Sequence, residues 1–322
     1  MQKYIADEQS RVDVFLSKKL KISRNQIESL IKEQGILIND ILRKKTSFKL
    51  KPNDVIKLKF PEKKELNQSF DVDFDVEILY EDEDILVLNK PPNLVVHGAD
   101  TVKEATLVDF LLQKNYSLSN LNGELRAGLL HRLDKGTSGA IVIAKNNEAH
   151  NFLAKQLLDK SMGRFYLALI DLPLKDDKMI VDKALLRSNS NRLKKTVLKE
   201  GLSLKGAKEA KSAFVNLLSE NGVNLIAAKL FTGRTHQIRA HLESLNRHIL
   251  GDTLYGYKQE SFKRVMLHAY FVYFIHPKSG EKLFVKAPLF DDFNQILMNF
   301  DKGILDEKLS LSYICSSFDS FI

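Results

Sequence analysis

With 322 residues, the chain has room for one large domain with an accessory or for two moderate domains. Its 44% hydrophobic and 28% charged residues exclude a fibre or a disordered chain. A single cysteine, Cys315, excludes an intramolecular disulfide framework and any cysteine-based metal cluster, and it fits a reducing compartment. The start MQKYIADEQS carries no apolar signal core, and no run approaches the roughly 18 apolar residues of a membrane span, so a cytoplasmic protein without membrane association is expected. The formal charge of +8 is uneven: residues 1–60 hold 14 Lys+Arg against 7 Asp+Glu, whereas residues 61–84 hold 10 acids against 2 Lys. A basic front segment suits a polyanionic partner, although the same charge also suits a merely solvated surface.

In chain order, residues 11–60 read as two short helices and a small β-ribbon. Ser23 is the expected N-cap of the second helix, Ile27, Leu30 and Ile31 its apolar face, and Gly35 its stop. Pro52, Asn53 and Asp54 turn the chain into the alternating Val55-Ile56-Lys57-Leu58. The pattern Arg11, Asp13, Leu16, Ser23, Arg24, Gly35, Ile38, Asn39, Leu50 and Asp54 resembles the αL RNA-binding module shared by a small-subunit ribosomal protein and some tRNA synthetases. That resemblance implies an RNA-binding module over residues 1–60, with Arg11, Arg24, Lys44 and Lys45 on its RNA-binding side.

Residues 61–75 combine Pro, polar residues and acids without helical period and read as a linker. After it, VEILYEDEDILVLNK reads as strand, turn and strand, and further strand-like runs follow at Ala140–Ala144, Phe165–Ile170, Leu225–Leu230 and Tyr270–Ile275. Helical patterns cover Glu148–Asp159 and Thr235–Leu245, where Ile238, Leu242 and Leu245 share a face. Residues 76–322 are therefore expected to form one mixed α/β domain, and the whole chain an α+β protein.

Three segments carry the candidate chemistry. In LLHRLDKGTSGAIVIAK (129–145), Arg132 and Asp134 stand two positions apart before an apolar strand, and extended backbone would point them to one side. Taken alone, that arrangement is more often a surface ion pair. In FTGRTHQIRAHL (231–242), Arg234, His236, Gln237, Arg239 and His241 crowd the start of a helix, where backbone N–H groups and guanidinium forks can hold an anion; a salt-bridged helix surface is the alternative. In GRFYLALI (163–170), Arg164 and Tyr166 share one face of a strand, and a strand tyrosine is by itself no evidence of catalysis. His131, His236 and His241 lack metal-ligand spacing. There is no phosphate-binding loop, dinucleotide fingerprint or nucleophile elbow.

Together these segments resemble the RluA family of RNA pseudouridine synthases over nearly the whole chain. The residues concerned are His131-Arg132-Leu133-Asp134 with Thr137-Ser138-Gly139, Asn89-Lys90-Pro91 with Val95-Val96-His97, Arg164 to Tyr166, and Thr232 to Arg239. Leu267-His268-Ala269, His276-Pro277, and Phe284 with Ala287-Pro288-Leu289 complete the set. The resemblance implies a pseudouridine synthase fold with a central, largely antiparallel sheet, and isomerisation of specific uridines to pseudouridine in structured RNA. Large-subunit ribosomal RNA, free or in a pre-ribosomal particle, is the implied target; the types are C or D, with RAGLLHRLDK leaning towards D. Asp134 is then the nucleophile, either attacking the anomeric carbon or taking the ribose 2′ proton. Arg239 holds its charged form, and Tyr166 stacks on uracil or removes the carbon-five proton. Arg132 fills the space of the flipped base, and His131, Arg234, His236 and Gln237 face the RNA. No metal and no organic cofactor is implied, and a monomer is expected. Asn93, Gly136 and Arg247-His248-Ile249 depart from the family pattern without removing a catalytic group. The competing reading is a non-catalytic RNA-binding or ribosome-assembly protein; a metal-dependent nuclease lacks the necessary clustered carboxylates.

Overall fold

The computed structural model describes residues 2–20, 24–58, 70–99, 102–198, 201, 205–259 and 261–321. Ser23 and residues 61–69 of the expected linker lie outside the described residues. The chain divides into two compact units, one of residues 1–69 with 120–127 and one of residues 70–119 with 128–322.

The first unit contains β1 (Gln2–Ile5), β2 (Ser10–Arg11), α1 (Val12–Leu20), α2 (Arg24–Gln34), β3 (Ile36–Ile38), β4 (Ile41–Arg43), β5 (Lys49–Leu50) and β6 (Val55–Leu58). Four of the strands form an antiparallel sheet in the order β1-β6-β3-β4. Phe15 and Leu16 of α1, Ile27 and Ile31 of α2, and Ile56 and Leu58 of β6 share its buried core. Gly35 ends α2 at φ +75° with its N–H on the Ile31 carbonyl, as an αL stop requires. Asn39 and Asp40 both adopt positive φ, 50° and 65°, the geometry that a two-residue hairpin needs. The Asn39 side chain also accepts the Val55 N–H and donates to Asp54. The fully buried Asp13 receives Arg11 at 2.8 and 3.0 Å and Arg24 at 2.7 Å. Burial alone would raise the Asp13 pKa, but the two guanidinium groups outweigh it and hold the carboxyl at about 2.

The second unit contains β7 (Glu77–Glu81), β8 (Ile85–Lys90), α3 (Leu107–Gln113), β9 (Ser138–Ala144), α4 (Asn147–Asp159), β10 (Gly163–Ile170), β11 (Lys178–Asp182), β12 (Leu185–Arg187), β13 (Lys195–Val197), β14 (Lys211–Glu220) and β15 (Val223–Leu230). It continues with α5 (Gln237–Ser244), β16 (Leu267–Ile275), β17 (Lys282–Lys286), α6 (Asp291–Leu297), α7 (Lys302–Lys308) and α8 (Leu311–Ser317). Residues 70–75, read from composition as linker, belong to this unit: Val72 exchanges hydrogen bonds with Gln113, and Phe74 stacks on Phe110. The central sheet runs β11-β14-β15-β10-β16-β9-β8-β7, with β17 also on β16. Its pairings are antiparallel except β16 with β9. Along β8, Ile85 and Val87 enter one core cluster and Leu86 and Leu88 the other, which is why ILVLNK reads as an unbroken apolar run.

The parallel contact of β16 with β9 covers only His268↔Ser138 and Ala269↔Gly139. Gly139 sits there at φ +109°, and a Cβ on it would stand 2.3 Å from the Ala269 carbonyl oxygen. Only glycine permits this approach, and it fixes the strand end from which the HRLD loop departs.

Candidate active site

Asp134 lies in the loop before β9, which three sets of contacts hold. Its own carbonyl accepts the Thr137 N–H at 3.0 Å. The buried ammonium of Lys90 donates to the carbonyls of Pro91 (2.7 Å), Leu94 (2.9 Å) and Lys135 (3.3 Å). Burial pushes the Lys90 pKa down to about 7, with the charge of Asp134 acting against that fall. At the far end, the Ser138 hydroxyl bonds His268 Nδ1 at 2.8 Å and accepts Arg264 Nη1 at 3.0 Å, while Arg264 grips Asp292 through Nε (2.6 Å) and Nη2 (2.7 Å). His268 Nε2 meets the Ala287 carbonyl at 3.2 Å. With Nε2 donating there, Nδ1 accepts the Ser138 O–H, and burial keeps the ring neutral, near pKa 3.

The second side of the site is the start of α5. The helix begins at Gln237 rather than Thr235 because His236 adopts a left-handed φ of 58°, a strained geometry for a non-glycine residue. Gln237 was expected to face the RNA; the structure instead buries it. Its Oε1 accepts Thr232 Oγ1 and the Arg234 N–H, and its Nε2 donates to the Lys211 carbonyl and Ser212 Oγ. It braces the TGRT turn with every amide atom engaged.

From the first turn of α5, Arg239 reaches Asp134 through Nη1 at 3.4 Å, yet its short bonds go to Asp252: Nε to Oδ2 and Nη2 to Oδ1, both 2.7 Å. Burial disfavours the guanidinium charge, but hydrogen bonds and charge from Asp252 and Asp134 overcome this and raise its pKa. Its carbon lies 4.8 Å above the Tyr255 ring. The Tyr255 hydroxyl donates to the Lys195 carbonyl (3.1 Å) and accepts the Lys195 N–H (2.8 Å), with His236 Nδ1 at 3.1 Å. One hydroxyl donor and two lone pairs are thereby used, which puts the His236 proton on Nδ1. His236 Nε2 then faces Asp134 Oδ2 at 3.7 Å. Burial lowers the His236 pKa, with Asp134 opposing.

Tyr166 is 4% exposed on β10, and burial raises its pKa. His131 uses Nε2 to accept the Val142 N–H at 3.1 Å. Arg132 is exposed, and its backbone is loop rather than strand. Arg234 is exposed and donates to the Glu209 carbonyl. Arg11 and Arg24 are half exposed around Asp13, and Lys44 and Lys45 are exposed. The structure thus brings together Asp134, Arg239 and His236. It adds Lys90, Ser138 and His268, which the sequence placed in motifs but gave no role, and Asp252, Tyr255 and Arg264, which it did not mark at all.

The histidines that lack metal-ligand spacing are engaged separately; His241, for example, bonds Ser212 Oγ and the Lys183 carbonyl, both at 3.0 Å. Asp82, Asp84 and His276 do cluster. The oxygens of Asp82 accept Tyr80 Oη, His276 Nε2 and the N–H groups of Asp84 and Ile85, and those of Asp84 take Asn146 and Lys278. That cluster closes the β7–β8 turn.

A family model for RNA pseudouridylate synthase matches residues 84–244, and one for the S4 domain matches residues 10–56. The chain is 51% identical over 313 residues to an uncharacterized RNA pseudouridine synthase of Helicobacter pylori, covering 96% of this chain and 95% of that one. It is 35% identical over 289 residues to the ribosomal large subunit pseudouridine synthase D of Zymomonas mobilis, covering 84% and 87%. Human RNA pseudouridylate synthase domain containing 4 shares the fold at a TM-score of 0.56 and 24% identity, over 69% of this chain and 92% of that structure. The chain belongs to the RNA pseudouridine synthase family, with an S4 RNA-binding domain in front. It is an isomerase acting on RNA, and among the described residues no helix is long and apolar enough to cross a membrane.

Proposed function

We propose that this enzyme converts specific uridines of large-subunit ribosomal RNA to pseudouridine, as a D-type synthase, with Asp134 as the nucleophile. The observation that carries the assignment is the setting of Asp134: a half-buried carboxylate facing a cation that a second acid, Asp252, already anchors. Arg239 can therefore stand opposite Asp134 as a fixed counter-charge without being drawn off its own position. Breaking the bond between ribose and uracil N1 needs that ionised carboxylate, to attack the anomeric carbon or to take the 2′ proton. Tyr166 stacks on the base, and the exposed Arg132 fills the space left when the uridine flips out. A monomer in the cytoplasm belongs to the same reading, the lone cysteine fitting a reducing compartment. Pseudouridine mapping of large-subunit ribosomal RNA from cells with and without the protein tests the reading: a position lost on deletion supports it, and an unchanged map refutes the ribosomal target.

The reaction consumes no redox equivalent and needs no Lewis acid, so turnover is expected to survive prolonged EDTA treatment. Loss of turnover that added zinc or magnesium restores, with RNA structure intact, would contradict this.

Within the same reading, residues 1–60 act as an RNA clamp joined through a linker. Deleting them is expected to weaken RNA binding and to leave the single-turnover rate at saturating enzyme within a few-fold. Each lost phosphate contact removes about 0.7–0.9 from the slope of log K against log salt. An unchanged slope with a collapsed chemical rate would make the module part of the active site instead.

A further inference from the structure

Arg164 differs from the other cations of the site. Arg239 is paired with Asp252, Arg264 with Asp292, and Lys90 with three carbonyls. Arg164 is 7% exposed, forms no ion pair among the described residues, and has its Nε buried without a hydrogen-bond partner. Arg164 pairs with Val272 of β16, where the register shifts between Phe165 and Tyr166, while the register with β15 runs on without a break from Phe165↔Lys229 to Tyr166↔Ala228. Two positions apart on β10, Arg164 and Tyr166 share a face by strand alternation. Phe165, between them, packs against Tyr273 and Phe318. The guanidinium reaches beneath the loop before α5, where a Cβ on Gly233 would stand 3.3 Å from its Nη2.

A second orphan donor lies in the same field. Because His131 Nε2 accepts the Val142 N–H, the neutral ring carries its proton on Nδ1, and Nδ1 is buried without a partner. Burial, with the Arg164 charge adding to it, keeps that ring neutral. Buried donors without acceptors are destabilising and rare in native folds. Where they persist, a bound water or a ligand supplies the acceptor.

The proposed isomerisation, on which the role assigned to these two donors rests, supplies one. Whether Asp134 bonds to the anomeric carbon or takes the 2′ proton, the electron pair of the ribose–N1 bond leaves with uracil, whose ring becomes an anion with charge on N1 and both carbonyl oxygens. After rotation, carbon five bonds to the anomeric carbon, and Asp134 gives up its bond or returns its proton. Carbon five then loses its proton while N1 gains one, and the ring is neutral again. We propose that Arg164 and the Nδ1–H of His131 form the seat for the departing uracil anion, donating to its carbonyl oxygens while Tyr166 stacks on the ring. A guanidinium already paired with a carboxylate would have little charge to offer there; Arg164 keeps all of its own. Donors fixed before the charge develops stabilise it at no cost of reorganisation.

The test is Arg164→Met in the full-length protein. Since no acid is left unpaired, Tm is expected to hold or rise. RNA affinity is expected to stay within about twofold, while the single-turnover rate at saturating enzyme falls on the order of 10²–10³-fold, the usual effect of removing one such donor. Arg164→Lys should retain part of the rate. For RNA carrying 5-fluorouridine at the target, the deficit should shrink for the cleavage step alone, since fluorine itself draws off the ring's charge. That step is read as loss of the starting nucleoside, because carbon five then bears no proton to release. A wild-type rate in the Met variant overturns the proposal. So does a loss of affinity with the saturated rate unchanged, which would make Arg164 a phosphate anchor, or a fall in Tm that tracks the lost rate in both variants, which would make it a structural brace. Wild-type protein that leaves every uridine unchanged would remove instead the reading beneath the proposal.

Discussion

Asp134→Asn is expected to abolish tritium release from RNA labelled at carbon five of uridine, a loss on the order of 10⁴–10⁶-fold in single-turnover rate, while Tm and RNA affinity stay near wild type. The separation of the two effects follows from the geometry. The contacts of Asp134 are long, 3.4 Å to Arg239 and 3.7 Å to His236, beyond the roughly 2.7–2.9 Å of a strong charge-assisted bond. The two short bonds of Arg239 go to Asp252, so the substitution leaves no buried cation without an acid. Asn fits the same space and cannot accept the 2′ proton or hold the anomeric carbon as an ester. Catalytic hydrogen bonds often tighten only when substrate arrives, and the free Nη1 contact is placed to do so. Appreciable release by the folded mutant would remove Asp134 from the chemistry.

Much of this site is legible in the sequence. The apolar runs of β8, β9, β10, β15 and β16 mark themselves as strands, and HRLD stands out by its density of polar groups before one of them. Tertiary partnership is what cannot be read. Asp252 sits 13 residues beyond Arg239, in a Gly-Asp-Thr turn that looks like any other; its role exists only because the chain after α5 folds back under the guanidinium. Lys90 stands in an NKP motif that gives no sign of its burial, and only the fold shows its ammonium spent on three carbonyls. Thr235 and His236 read as helix, but a left-handed residue cannot be seen in an apolar periodicity. β1 escapes notice because Gln2–Ile5 is too short to show a pattern, and it forms by pairing with the distant β6. α6, α7 and α8 carry one turn or two each, so no face repeats often enough to be counted.

Arg239→Met is expected to lose turnover and, at the same time, about 3–5 kcal/mol of stability, the usual consequence of stripping the partner from a buried charge. The Asp252 side chain is 1% exposed and would be left buried without the guanidinium that takes both of its oxygens. A simple loss of activity in this variant therefore cannot separate chemistry from folding. The double substitution Arg239→Met with Asp252→Leu can. Replacing both members of a buried pair with apolar groups of similar size is often close to neutral, so thermal denaturation should show most of the lost stability restored. A shortfall is expected from the Asp252 contact with the Tyr255 N–H at 3.3 Å, which leucine cannot make. Turnover should stay absent, because Asp134 then faces no fixed cation. A double variant that regains stability and rate together would show that Arg239 serves the fold alone. One as unstable as the single variant would show that the Arg239–Asp252 pair is not what makes that region cohere.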